Sequence, residues 1–478
     1  MSTTVREAPA TANRKLARSG LAYLAMVLLP LALAVLLLRI GAGDDHSAPA
    51  HHTATAPDPL PKLLFALPVI FLTCRLLSGA ARKLWQPAVI GEIFAGVLLV
   101  PSFLGWVWPA AYAWIFPAYL TSTINTLSQI GLVLFMFLVG YELDIELVRR
   151  RTRAAVLVSH ASIAVPFLSG IVLAIALHGS LGAGVGRLPF ALFIAVSMSV
   201  TAFPVLARII TDRGMNKQPI AALALSCAAI NDITAWCLLA LVTAIASATS
   251  IAASGWTVVL TVAFFAFMLT VVRPLLRRLF APKDSGQRAL PETAVLAVLL
   301  AGLLLSSLAT NEIGIHPIFG AFVFGVITPR GSLPVNRATG QMHGLTVTLL
   351  LPLFFVYTGL RTKFGLLGAS WSLWGWCLLI IVLAMLGKLG GSLVAARLSG
   401  IDRRDSWSVG VLMNCRGLTE LVVLNIGLDL KIISPTLFTM LVIMTLVSTV
   451  ATSPALSVIE RWRPNSMATS AAEPVAAE

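Results

Sequence analysis

Charge is what this sequence has least of. Only 11% of its 478 residues are charged, against 58% hydrophobic, and mean hydropathy is +0.90. That composition excludes a soluble domain and reads as a polytopic membrane protein. Acidic residues are the scarcest, 20 against 34 lysines and arginines, for a net charge of +14. The excess does not mark a nucleic-acid binder, because basic residues stand in short clusters between apolar runs, as the positive-inside rule requires. Cysteine is also sparse. Cys74, Cys227, Cys237, Cys377 and Cys415 all fall in apolar segments with no CxxC, so they read as small core residues, and no disulfide framework or metal–thiolate site is expected. No nucleophile–base set, metal-ligand spacing or dinucleotide fingerprint occurs, so neither an enzyme nor a bound cofactor is expected.

What is present is a series of apolar runs. The first, 19–40, follows the basic tail 1–18 and reads as an extra transmembrane helix; a signal peptide cleaved near Ser47-Ala48-Pro49-Ala50 is the alternative. The stretch 41–60, rich in Ala, Pro, His and Asp, reads as an external linker in which His46, His51 and His52 are solvated. Thirteen further spans fill a transmembrane domain over 61–455. They are 61–81, 87–104, 122–143, 152–177, 188–211, 217–247, 254–280, 288–309, 315–330, 343–361, 371–396, 406–427 and 432–455, numbered helices 1 to 13. The tail 456–478 is small and polar and is expected to be disordered. Strict alternation from a cytoplasmic N-terminal tail puts 26 of the 34 basic residues on one side and six on the other, with Lys388 and Arg416 inside spans. Both termini are then cytoplasmic.

The chain repeats itself. Helix 3 ends on Leu134-Phe135 and Gly140, and helix 10 on Leu353-Phe354 and Gly359, with no gap between the two patterns. Helix 2 carries Pro87, Gly91, Gly96 and Pro101; helix 9 carries Pro317, Gly320, Gly325 and Pro329. The charge map gives helices 3 and 10 opposite directions, so helices 1–6 and 8–13 form inverted repeats of six joined by helix 7. In secondary transporters this architecture places the site at the midplane on broken helices. Helices 5 and 12 correspond, and both look broken: one at Ser197, Ser199, Thr201 and Pro204, the other at Asn414-Cys415-Arg416-Gly417 with Glu420. The helix 5 carbonyls and hydroxyls can ligate a hard cation or satisfy the backbone.

The sharpest signal is Asn231-Asp232 in the run Ile220–Ala246. Asp232 is fifteen residues beyond Lys217, about 22 Å of helix, which is near the middle of a hydrocarbon core of ~30 Å. A carboxylate there is costly to keep charged and marks a functional site, one able to trade a proton for a metal cation; a buried Asp satisfied by a neighbouring hydroxyl or lysine is the alternative. Asn231 shapes the site and does not titrate. Lys388, nine residues before Arg397, needs a carboxylate partner, for which Asp232 is the candidate; snorkelling to the inner surface is the alternative. Arg416 and Glu420, four apart, can pair and neutralise charge near the crossing. Glu92 lines an inward cavity or caps a turn. Glu312 and His316 read as a solvated entrance.

These residues resemble the monovalent cation:proton antiporter-2 family, which includes potassium efflux antiporters and plant cation/proton exchangers. The resemblance rests, in the family's order, on Gln86-Pro87 through Glu92-Ile93 with Gly96, Leu134-Phe135 through Asp144, Thr201 through Val205, Asn231-Asp232, His316 through Phe322, Gly387-Lys388 and Met413 through Leu421. Asn231 through Trp236 and Glu420 through Gly427 look closest to the plant-type branch. The resemblance implies a sodium/proton-antiporter-like fold, a homodimer with a rigid dimerisation domain and a mobile six-helix core, and alternating-access exchange of Na+ or K+ for protons at Asp232. Asn231, Thr201 and Ser199 stand beside that aspartate, supported by Lys388, Pro204, Glu92, Asn414, Arg416 and Glu420. It also implies a role in pH homeostasis, and the Arg-rich basic set fits a bacterial inner membrane. With no soluble domain after helix 13, glutathione gating is not expected. Asn-Asp is the family's mark of electroneutral exchange and Lys388 of electrogenic exchange, so stoichiometry stays open. A channel-like protein or an organic-solute:proton antiporter on the same fold are the rival readings.

Overall fold

The computed structural model describes residues 58–84, 86–99, 103–142, 153–182, 184–215, 218–247, 251–280 and 291–461. The expected N-terminal tail, the 19–40 helix and nearly all of the linker lie outside them, as do Pro101, Asp144 and Lys217. Within the described residues all thirteen expected helices are present. They are α1 Leu60–Lys83, α2 Ala88–Leu98, α3 Ala118–Glu142, α4 Arg153–Leu181, α5a Arg187–Ser199 and α5b Phe203–Asp212, α6 Pro219–Ser247, and α7 from Ile251 through a π-turn at Met268–Val272 to Phe280. After them come α8 Glu292–Ile313, α9 Pro317–Ile327, α10 from Leu333 through a π-turn at Thr346–Leu350 to Arg361, α11 Trp371–Leu398, α12a Arg403–Met413 and α12b Leu418–Asp429, and α13 Pro435–Arg461. Eleven are long and apolar enough to cross a membrane; the two short ones are α2 and α9, each of 11 residues.

Several boundaries differ from the sequence reading by a few residues, α2 among them, which ends at Leu98 rather than 104, and two differences matter for the fold. α10 starts at Leu333 rather than 343 because its first turns are amphipathic, with Val335, Ala338, Thr339 and Met342 buried at helical spacing. α13 runs on to Arg461, into the stretch expected to be a tail. Of the cysteines, Cys237 is exposed on α6 and the other four are buried.

The repeat seen in sequence is also a repeat of contacts. A Cβ on Gly91 would meet the Leu77 carbonyl oxygen of α1 at 2.4 Å, and one on Gly320 would meet that of Ser306 in α8 at 2.1 Å. Ser78 and Ser306 each donate across these seams, to the Ala88 and Gly320 carbonyls at 3.0 and 2.7 Å. Five residues on, Gly96 abuts Phe355 of α10 and Gly325 abuts Phe137 of α3. Gly359 and Gly140 make the reciprocal approaches, to Gly96 and Phe322. The glycines of each short helix therefore let two backbones touch, which stabilises helix pairs through dispersion.

The helices gather into two bundles. One contains α1–α3 and α8–α10; the other contains α4–α6 and α11–α13. In the second, residues 409–427, which include the break in α12, are all buried. α7 lies at the periphery, much of it exposed and apolar, as a lipid-facing helix must be.

Candidate functional site

The two breaks meet. α5a stops at Ser199, and Val200 to Ala202 are extended before α5b. Pro204 then lies in the first turn of α5b, where its missing N–H costs nothing. α12a stops at Met413, and Gly417 opens α12b at φ +154°, ψ −126°, a conformation only glycine tolerates. At the crossing the Ala202 amide donates to the Cys415 carbonyl (3.1 Å), and Thr201 Oγ1 donates to that of Met413 (3.1 Å).

Each break leaves carbonyls without helical partners. Arg416, fully buried, donates to the carbonyls of Ser197 (2.9 Å) and Met198 (2.5 Å). Lys388, also fully buried, donates to the Ser199 carbonyl and to that of Ser162 (2.9 Å). Ser162 is four residues before Pro166 on α4, so its carbonyl has no helical donor. Both cations therefore sit at the negative end of the α5a dipole. Arg416 also pairs with Glu420 at 3.1 Å, and Ser197 Oγ donates to the same carboxylate at 2.6 Å. Thr449 on α13 donates to the Arg416 carbonyl (2.9 Å).

These contacts bear on two expectations. The carbonyls ending α5a are met by Arg416 and Lys388, which fits the second of the two roles left open for them, satisfying the backbone. Ser199 Oγ donates to the carbonyls of Ala195 (2.6 Å) and Ile163 (3.2 Å). Lys388, for its part, hydrogen-bonds carbonyls rather than Asp232, on which it acts electrostatically.

Asn231 is held on every side. Its amide donates to Ser162 Oγ (2.8 Å) and Thr201 Oγ1 (3.1 Å), and its oxygen accepts from Ser159 Oγ (3.1 Å). Ser159 and Ser162 are the site residues the sequence reading missed. Their signal was a pair of serines three apart, one of them four before a proline, on a helix otherwise rich in Ala, Val, Leu and Ile. Asp232, next in sequence and 1% exposed, is the opposite case, since neither carboxylate oxygen has a hydrogen-bond partner. The Phe203 amide, first of α5b, is the backbone group that acts on the carboxylate. Asn414 Oδ1 is likewise buried and unpartnered at the end of α12a.

Glu92 lies outside this network. It lines a cavity of about 200 Å³ between the bundles, with Glu142 and His343 on its own side and Pro204, Val205, Arg208 and Leu418 opposite. The cavity thus reaches both broken helices. One turn past Asp232, Trp236 packs on Phe319 and Phe322 of α9, ring centroids 6.0 and 6.2 Å apart. His316 caps α9, and among the described residues no group of His, Cys, Asp and Glu could hold a resident metal.

The family model for "Sodium/hydrogen exchanger, transmembrane" matches residues 69–459. The chain is 40% identical over 388 residues to the Na+/H+ antiporter NhaS4 of Synechocystis sp., covering 81% of this chain and 94% of that one. It is 36% identical to cation/H+ antiporter 19 of Arabidopsis thaliana (84% and 50% covered) and 34% identical to K+/H+ antiporter 1 of Saccharomyces cerevisiae (86% and 47%). It therefore spans about half the length of the plant and yeast relatives. The fold matches the sodium proton antiporter MjNhaP1 of Methanocaldococcus jannaschii with a TM-score of 0.57 at 15% identity, covering 84% of this chain and 97% of that one.

Proposed function

The chain belongs to the sodium/hydrogen exchanger family, and from that premise we propose that it exchanges Na+ or K+ for protons at Asp232. One observation carries the assignment. Of the groups gathered at the crossing, Asp232 is the carboxylate with both oxygens buried and unpartnered, whereas Glu420 is held by Arg416 and Ser197. A bare carboxylate in a dry site is expensive, and a proton or a cation relieves that cost equally well. The two ligands therefore compete for one seat. The N-terminal end of α5b stands on the carboxylate's side of the break, and Asn231, locked by three hydroxyls, fixes the geometry. Asn414 Oδ1 and Thr419 Oγ1 are further unpartnered oxygens at the α12 break.

Alternating access follows from the same cost, because only the protonated or cation-bound site can move through a closed interface. The cavity between the bundles supplies access from the Arg208 and His343 face, which the charge map makes cytoplasmic. With a single carboxylate free at the crossing, and Lys388 committed to carbonyls, exchange is one proton per cation and electroneutral. The protein acts in a bacterial inner membrane with both termini inside, as a homodimer joined through the α1–α3 and α8–α10 bundle, and contributes to pH homeostasis.

The test is reconstitution in liposomes with an internal pH dye, adding Na+, K+ or Li+, with Asp232→Asn in parallel. A cation-dependent pH change absent from the variant supports the assignment and names the ion. Unchanged exchange by Asp232→Asn removes it. A pH response only to small organic solutes, or flux independent of the proton gradient, replaces it with one of the rival readings.

A further inference from the structure

Asn425 lies in the Glu420 through Gly427 stretch that looks closest to the plant-type branch, but it has no part in the crossing. It is 2% exposed on α12b, among Leu421 to Leu428, where a lone amide is costly unless its hydrogen bonds are met. They are met largely across the gap between the bundles. Asn425 donates to Thr358 Oγ1 of α10 (2.8 Å) and to its own Leu421 carbonyl (2.9 Å), and accepts from Arg361 (3.2 Å). Arg361 also pairs with Asp429, one turn further along α12b, at 2.7 Å, and its guanidinium lies 5.3 Å from the Tyr357 ring. Beside it the Lys363 amide donates to Thr439 Oγ1 of α13 (3.2 Å).

The opposite face contrasts with this one. There the same two bundles part around the cavity of about 200 Å³, and Gln86 reaches the Val450 carbonyl of α13 at 3.3 Å. Both faces hold a cavity between the bundles, the one on the Asn425 face of about 580 Å³ and lined by Arg361, Lys363, Leu428 and Lys431; what sets the Asn425 face apart is the set of polar side chains tied across it. We propose that Thr358, Arg361, Asn425 and Asp429 form a polar clamp that holds the bundles together on the outer face and must open for the site to be reached from that side. The clamp is suited to reversal. Each such contact shifts a two-state equilibrium by only about two- to tenfold, enough to bias the resting state without locking it. The word "outer" rests on the exchange reading; the contact itself does not.

The test therefore uses a readout that needs no transport. Amide hydrogen–deuterium exchange is followed by mass spectrometry on the full chain, comparing wild type with Arg361→Ala, Asp429→Ala and the swap Arg361→Asp/Asp429→Arg. Expected is roughly two- to fivefold faster exchange over 351–361 and 418–429 in the single variants, recovery in the swap, and slower exchange over 203–212 as the cavity narrows. Thr358→Val, which removes one hydrogen bond and leaves no charge unpaired, serves if a charge variant does not fold. Unchanged exchange over 418–429 in Thr358→Val and in whichever charge variants fold overturns the clamp and leaves Asp232 untouched. Faster exchange there with no cation-driven pH change would keep the clamp and remove the antiport reading.

Discussion

Lys388 Nζ donates to the Ser162 carbonyl at 2.9 Å, the acceptor that Pro166 leaves without a helical donor. With its second bond, to the Ser199 carbonyl, this lysine ties α11 to a proline-disrupted turn of α4 and to the break in α5. These contacts give it a structural role to test. Lys388→Ala leaves two buried carbonyls unsatisfied, at a cost of about 1–3 kcal/mol each. The expected result is a clear drop in the unfolding midpoint in detergent. Lys388→Gln, which keeps N–H donors, should recover part of it. A midpoint equal to wild type for Lys388→Ala would mean the lysine is not a cap.

Asp232→Asn should behave in the opposite way on stability. It removes a buried carboxylate with no partner, so the variant is expected to melt at or above the wild-type temperature while losing exchange. Fluorescence-detected melting, run beside the liposome assay, checks both halves. A variant that neither folds nor transports would show that the carboxylate has partners the structure does not reveal.

Asn231→Asp keeps the shape of the side chain and removes its two N–H donors. Ser162 Oγ and Thr201 Oγ1 already donate elsewhere, to the carbonyls of Ser159 and Met413, so both would face a second carboxylate oxygen. Exchange should fall about tenfold, the effect of losing roughly 1.4 kcal/mol of positioning. Undiminished initial rates in liposomes would show that the Asn231 network does not position the site.

Competition for one carboxylate fixes the pH dependence. As pH falls, protons occupy Asp232 and the apparent KM for the cation rises, by up to about tenfold per pH unit, while the maximal rate at saturating cation holds. If exchange is electroneutral, a membrane potential imposed with an ionophore should leave the initial rate unchanged. Acceleration by one polarity would show that a second charge moves.

Gly325→Ala tests the repeat. The added Cβ would stand 2.1 Å from the Phe137 carbonyl oxygen, a backbone atom that cannot step aside. A loss of about 1–3 kcal/mol is expected from overpacking, read as a lower midpoint. The same change at Gly340, which has nothing within 4 Å, is the control and should be neutral.

How much of this was legible in the sequence depends on the range of the interaction. Helix existence was legible, because a ~30 Å hydrocarbon core demands long apolar runs and admits few charges. The breaks in α5 and α12 were legible because Pro204 and Gly417 act on their own backbone. The first turns of α10 were not, since their apolar stripe becomes apolar burial only when another helix covers it.

The sequence by itself determined that Asp232 lies well inside a long apolar run, that the two halves are related, and which family the chain resembles. Only the tertiary structure decided that Lys388 and Arg416 satisfy the carbonyls ending α5a, that Ser159 and Ser162 lock Asn231, and that Asp232 is left bare. The reason is physical. Whether a buried polar group is partnered depends on which donors other helices bring within about 3 Å, and residues 162 and 388, far apart along the chain, become neighbours only when α4 packs on α11.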